Sequence, residues 1–274
     1  MKIAAVQVTT GPDWAENFAK AEGQVRKAAA EGAHLVVLPE ATMQAFATGR
    51  LDEGAQDLDG EFAQRLHALA TELGVTVVAG MFSPADSYVK GDKTINRVYN
   101  TALITGPDIH RGYAKIHTYD AFDYRESDTV RPGVDLVTFE VGEWTVGVAV
   151  CFDIRFPDQF RALAQRGAQL IVVPTSWADG PGKLEQWRLL SAARALDSTS
   201  YLCAAGQARP GGNEEAGNPS GPTGIGHSVI VDPQGKRLAE AGYEEETIYA
   251  DIDADEVAEV RRSCLLYTSP SPRD

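Results

Sequence analysis

Three side chains able to transfer a proton or attack carbon each follow an apolar run: Glu40 in HLVVLPEA, Lys115 in RGYAKIH and Cys151 in TVGVAVCFDIRFP. A cysteine at the C-terminal end of a strand stands where α/β sheets place their sites. Backbone N–H groups just after it can stabilise an oxyanion. Its thiol needs a base or a cation nearby, because a free cysteine titrates near about 8.5. Glu40 is a carboxylate base, and Pro39 stiffens the backbone that presents it. Lys115 is the cation. Each residue also has an ordinary structural reading: a small buried Cys, a capping or solvent-facing acid, a lysine on a sheet edge.

Short Val/Ile/Ala-rich runs alternating with amphipathic stretches must position these groups. Strands are expected at Ile3–Val8, His34–Leu38, Val75–Met81, Leu170–Val173, Tyr201–Ala205, His227–Val231 and Thr247–Asp251. Arg97–Thr105 and His110–Ile116 flank a Gly106-Pro107 turn, and Leu136–Glu140 and Trp144–Val150 flank Gly142, so both pairs read as hairpins. Helices are expected at Asn17–Glu31 (closed by Gly32), Glu61–Leu73 (closed by Gly74), Pro157–Arg166, Leu184–Leu196 and Asp253–Arg262, the last with Asp253 as N-cap. Alternating elements with hairpins predict an α/β fold with mixed sheets. So many strands favour two packed sheets with helices outside. Arg209–Thr223, RPGGNEEAGNPSGPT, reads as a loop.

Composition excludes several classes. Among 274 residues, 25 Lys and Arg against 39 Asp and Glu leave a net charge of −14, unsuited to nucleic acid or an anionic membrane surface. Apolar residues are 43% and charged residues 23%, as in a globular domain. The cysteines Cys151, Cys203 and Cys264 form neither a disulfide framework nor a zinc-type CxxC pair. Neither a signal peptide nor a membrane span is evident, so a cytoplasmic location is expected.

Taken together, LPE, YAKIH and VAVCFDIRFP resemble the Glu–Lys–Cys triad motifs of the nitrilase superfamily of carbon–nitrogen hydrolases, and the likeness runs from KIAAVQV to AEVRR. The resemblance implies a four-layer α-β-β-α sandwich. It implies Cys151 as nucleophile, Glu40 as general base, and Lys115 with the backbone N–H of Phe152 as stabilisers of the tetrahedral intermediate. Glu126, eleven residues after Lys115, matches the family's additional glutamate. Tyr119 is expected to contact substrate, and Pro174, Thr175, Ser176 and Trp177, which follow a strand, resemble the family's substrate-pocket segment. Asn100 and Tyr99 support the site, and Arg155 reads as structural, in a buried ion pair or holding its loop. His117, His227 and Cys203 read as structural. No metal or cofactor is implied. Within the superfamily, KIHTYDAFDYRES and CFDIRFP are similar to the branch of omega-amidase and deaminated glutathione amidase, which implies hydrolysis of a small linear amide to carboxylate and ammonia through a thioester. Nitriles and N-carbamoyl amino acids are alternative substrates on the same scaffold, and a non-catalytic binding relative is a third reading. A homodimer through helices 157–166 and 184–196 is expected.

The final segment Cys264–Asp274, CLLYTSPSPRD, departs from this pattern and resembles a translated sequencing adapter. The expected domain is therefore residues 1–263, with 264–274 a non-native tail that takes Cys264 out of the functional count.

Overall fold

The computed structural model describes residues 1–121, 124–215, 217 and 221–264. In chain order the elements begin β1 (Lys2–Gln7), α1 (Trp14–Ala30), β2 (Leu35–Val37), α2 (Leu51–Gly54), α3 (Glu61–Leu73), β3 (Thr76–Lys90), β4 (Lys93–Gly106) and β5 (Ile109–Ala114). A small hairpin of β6 (Asp120–Ala121) and β7 (Tyr124–Arg125) follows, then β8 (Thr138–Val141), β9 (Trp144–Val148), α4 (Pro157–Gln165) and β10 (Leu170–Thr175). The remainder is α5 (Lys183–Ser198), β11 (Tyr201–Gly206), β12 (Val229–Val231), β13 (Arg237–Glu240), β14 (Glu246–Asp251) and α6 (Ala254–Cys264). Two six-stranded mixed sheets result, ordered β14-β1-β2-β3-β4-β5 and β13-β12-β11-β10-β9-β8.

Side-chain alternation divides β1 between two cores. Ile3 and Ala5 pack between the sheets with Val37, Val78, Val146 and Val172. Ala4 and Val6 face the opposite way, onto Phe18, Val25, Phe62 and Leu66 of α1 and α3. On the far side, α4 and α5 bury Phe160, Leu163, Trp187 and Ala195. The layers are thus α-β-β-α, as expected.

The helix ends follow local chemistry. The Asp13 carboxylate caps α1 by accepting from the N–H groups of Ala15 (2.8 Å) and Glu16 (3.0 Å), so α1 starts three residues before the expected Asn17. Asp253 accepts from the Asp255 N–H at 3.0 Å, in the capping role expected of it. The main departure is the length of the β3–β4 hairpin, which runs on through SPADSYVK and KTIN to pair Lys90 with Lys93. These outer arms are polar and exposed, so they lack the apolar alternation that marks a buried strand. Strand β13, also half-exposed, was not expected.

No helix among the described residues is long and apolar enough to cross a membrane. Within 209–223 the described residues form turns and loop, while residues 216 and 218–220 lie outside the description. Of the Cys264–Asp274 tail, Cys264 ends α6 exposed and the rest lies outside the described residues.

Candidate active site

Glu40 enters on a backbone with no room to spare. Strand β2 ends at Val37, and Leu38 then bonds to the Val78 carbonyl (2.7 Å), Gly80 to Pro39 (3.0 Å) and Met43 to Gly80 (3.0 Å). This fastens the Pro39–Thr42 turn against β3. A Cβ on Gly80 would lie 2.5 Å from the Ala41 nitrogen and 2.7 Å from Glu40 Cα, so only glycine allows the approach. Ala41 itself takes a left-handed φ of 59°.

Lys115 directly follows β5. Its N–H donates to the Asn100 carbonyl (2.9 Å) and its carbonyl accepts from Gly133 (2.8 Å). The exposed edge lysine of the structural reading is excluded, since the residue is 3% exposed. Its Nζ lies 2.9 and 3.1 Å from the two Glu126 oxygens and 3.3 Å from Glu40 Oε1. Asn100 Nδ2 donates to the same Glu40 oxygen at 2.7 Å, the supporting role expected of it. Glu126 Oε2 also accepts from the Tyr119 backbone N–H at 2.6 Å.

Cys151 opens a 3-10 turn, Cys151–Arg155, just beyond β9. Its φ of 45° is left-handed, a strain that the surrounding structure must hold in place. The thiol is 7% exposed and points at the Ser176 carbonyl, 3.8 Å away. The Ser176 N–H donates to Glu40 Oε2 at 2.9 Å, so Ser176 touches both the thiol and the carboxylate. Glu40, Lys115 and Glu126 come from the first sheet's side and Cys151 from the second, so the cluster spans the seam between the layers.

Four ionisable groups share this buried space, and for Glu40, Lys115 and Cys151 desolvation is the largest influence on titration. Burial pushes the Glu40 carboxyl above the usual carboxylate range; the Lys115 charge opposes this and Glu126 adds to it. Burial alone would lower the Lys115 ammonium, yet Glu126 and then Glu40 hold it well above the ordinary lysine value. The Cys151 thiol is pushed far up by burial and next by the Glu40 charge, against Lys115 and the nearby Thr175 hydroxyl. A thiolate here would be one more negative charge beside a single ammonium, so the surroundings disfavour ionisation of the thiol.

The other predicted residues divide. Phe152 follows Cys151 in the same turn, with its half-buried ring edge-on to Tyr119 at 5.1 Å. Thr175 is buried at the end of β10. Trp177 is buried beside Trp187, with ring centroids 5.4 Å apart. Arg155 corrects the expectation: it is exposed and in no buried ion pair, with its guanidinium 5.6 Å from the Trp177 ring and an Nη2 bond to Gln186 at 2.7 Å. The loop-holding residue is Asp153. Its fully buried Oδ2 accepts from the Val150 N–H (2.9 Å) and the Tyr113 hydroxyl (2.6 Å), and its Oδ1 from the His117 N–H (2.9 Å) and Nδ1 (2.8 Å). Asp153 thereby ties the cysteine turn to the segment carrying Lys115. His117, stacked on Phe156 at 3.5 Å, has the structural role expected of it, and His227 bonds Glu240 at 3.0 Å. Ser176, expected only as part of the substrate-pocket segment, donates its N–H to Glu40 Oε2 at 2.9 Å, and Gln207, which sequence reasoning passed over, donates its Nε2 to the Glu40 carbonyl at 2.9 Å. Position after a strand end was the available signal for Ser176; Gln207 gave none.

A buried thiol, two carboxylates and an ammonium at the seam of an α-β-β-α sandwich define a class of cysteine hydrolase fold. The carbon-nitrogen hydrolase family model matches residues 2–262, and the chain belongs to that family. It is a carbon–nitrogen hydrolase, and the resemblance read from its motifs holds. A hydrolase of Mycobacterium tuberculosis is 46% identical over 269 residues, covering 95% of this chain and 92% of the relative. The omega-amidase NIT2 of Xenopus tropicalis is 35% identical over 269 residues, covering 95% and 91%. Among solved structures, Nit3 of Saccharomyces cerevisiae, a member of branch 10 of the nitrilase superfamily, superposes with a TM-score of 0.81 at 29% identity, covering 100% of this chain and 96% of that one.

Proposed function

We propose that the protein hydrolyses a small linear amide to a carboxylate and ammonia through a thioester on Cys151. The observation that carries this reading is the buried cluster itself: the Cys151 thiol and the Glu40 carboxylate meet on Ser176, and Lys115 Nζ lies 3.3 Å from Glu40 Oε1. Cys151 Sγ attacks the amide carbon while its proton passes to Glu40. The carbonyl oxygen takes the negative charge and is met by Lys115 Nζ and the Phe152 N–H. Glu40 returns the proton to the leaving nitrogen, the C–N bond breaks, and ammonia departs. Water then attacks the thioester, giving its proton to Glu40, and collapse expels the sulfur, which takes the proton back. Glu126 holds the Lys115 ammonium in place throughout. Thr175, Trp177 and the Tyr119 side chain wall the substrate. The omega-amidase relatives favour a terminal amide on a short carbon chain.

The test is ammonia release from a panel of amides, nitriles and N-carbamoyl amino acids, with Cys151→Ala as control. Short ω-amides should be the best substrates, and Cys151→Ala should lose activity almost completely. Ammonia from nitriles or N-carbamoyl compounds but not from amides would overturn the substrate class. Wild-type activity in Cys151→Ala would overturn the nucleophile.

A further inference from the structure

Ser176 meets three partners with its three polar groups. Its N–H donates to Glu40 Oε2 (2.9 Å), its carbonyl accepts from Cys151 Sγ (3.8 Å), and its hydroxyl donates to the Pro222 carbonyl (2.5 Å). It is 2% exposed. Pro222 lies in the Gly-rich stretch 209–223, which the roles above do not use. The other root of that stretch is fastened to the same wall. Arg209 Nε lies 2.8 Å from Asp179 Oδ2, its guanidinium carbon 3.4 Å from the Tyr243 ring centre, and its N–H donates to the Tyr243 carbonyl at 2.8 Å. Gly217 presses its backbone onto that carboxylate so closely that a Cβ would come within 2.1 Å of Oδ2. The loop therefore grips the segment from Ser176 to Asp179 at both ends.

The geometry gives the hydroxyl a mechanical meaning. The Ser176 N–H belongs to the peptide plane before its Cα and the carbonyl to the plane after it. Both planes pivot at that Cα, so a tilt of either displaces the contact to the base or to the thiol. The hydroxyl bond to Pro222 anchors the pivot itself.

We propose that Ser176 is a positioning residue through which the 209–223 loop fixes the alignment of Glu40 and Cys151, with the Arg209–Asp179 ion pair as the second anchor. The inference rests on the reading of Glu40 as base and Cys151 as nucleophile. A loop that only completed the surface would need no contact with the residue shared by both.

Ser176→Ala keeps both backbone contacts and removes only the anchor. Two readouts separate alignment from stability: kcat and KM for ammonia release, and the pH dependence of Cys151 alkylation by iodoacetamide, followed by the mass of the Cys151 peptide. The second needs no substrate. In Ser176→Ala, kcat should fall roughly three- to tenfold, the size of one lost hydrogen bond, with KM within about twofold and the alkylation midpoint moved to higher pH. Ser176→Thr, which keeps the hydroxyl, should restore both, and Asp179→Asn should shift both in the direction of Ser176→Ala. A lower thermal midpoint with wild-type kcat and alkylation profile would overturn the proposal. If Ser176→Ala fails to fold, Asp179→Asn is read by the same two measures, and wild-type values there overturn it. A shifted alkylation profile in a protein that releases ammonia from no amide would sink the amidase reading and leave the positioning role standing.

Discussion

Glu40 carries the heaviest constraint of any side chain in the site. In the proposed mechanism it accepts a proton from a thiol, yet burial already raises its own pKa above the ordinary glutamate value. The sign of the resulting pH dependence follows. A base is useful only when deprotonated, and a raised pKa keeps it protonated over a wider acid range. The ascending limb of kcat/KM, measured between about pH 4 and 9, should thus lie above the ordinary carboxylate range. Lys115, held protonated by Glu126 and Glu40, should cause no alkaline loss until beyond the usual lysine range. An ascending limb at an ordinary glutamate value would show that burial does not govern the base. The residue types of this cluster were legible in sequence, because thiol, carboxylate and ammonium each ended an apolar run. Asp153 was not: its partners Tyr113 and His117 lie 40 and 36 residues away, and only folding shows that one carboxylate serves both strand ends. Arg155 was misread for the same reason, since nothing local distinguishes a buried cation from one laid over Trp177.

At the scale of elements, the close approach of β3 to the Pro39–Thr42 turn decides whether Glu40 is aimed correctly. Gly80→Ala should therefore act on two observables at once. The added methyl meets three backbone atoms of the Pro39–Ala41 segment, so stability should fall by roughly 1–3 kcal/mol in chemical denaturation. Activity should fall further than the folded fraction does, because the strain is relieved by moving the base. Loss of stability with unchanged kcat in the folded protein would show that the turn tolerates displacement. The inner halves of β3 and β4 were legible from their apolar runs. Their outer arms were not, since a polar ribbon held by cross-strand bonds and the Gly91 turn carries no hydrophobic period. The start of α1 was missed by three residues because the cap, Asp13, precedes a tryptophan rather than an obvious apolar stripe.

For the whole molecule, α5 outside the second sheet carries exposed apolar side chains. Leu189 and Leu196 on α5 are 70% and 50% exposed, one heptad apart on the same face. We propose a homodimer through α4 and α5. Light scattering after size exclusion should give twice the chain mass, and Leu189→Glu should shift it toward the monomer; a wild-type monomer would refute the interface. The division of the cluster between the two sheets has a temporal side as well. Glu40, Lys115 and Glu126 all precede Cys151 in the chain, and β14, beside β1, is the last strand of the first sheet to be made. A chain leaving the ribosome thus presents both glutamates and the lysine before Cys151, and Cys151 before the first sheet is closed. Synthesis of the cysteine does not arm it. On the proposed mechanism, docking of one layer on the other does, so an unfinished or misassembled chain carries a thiol with no base at hand.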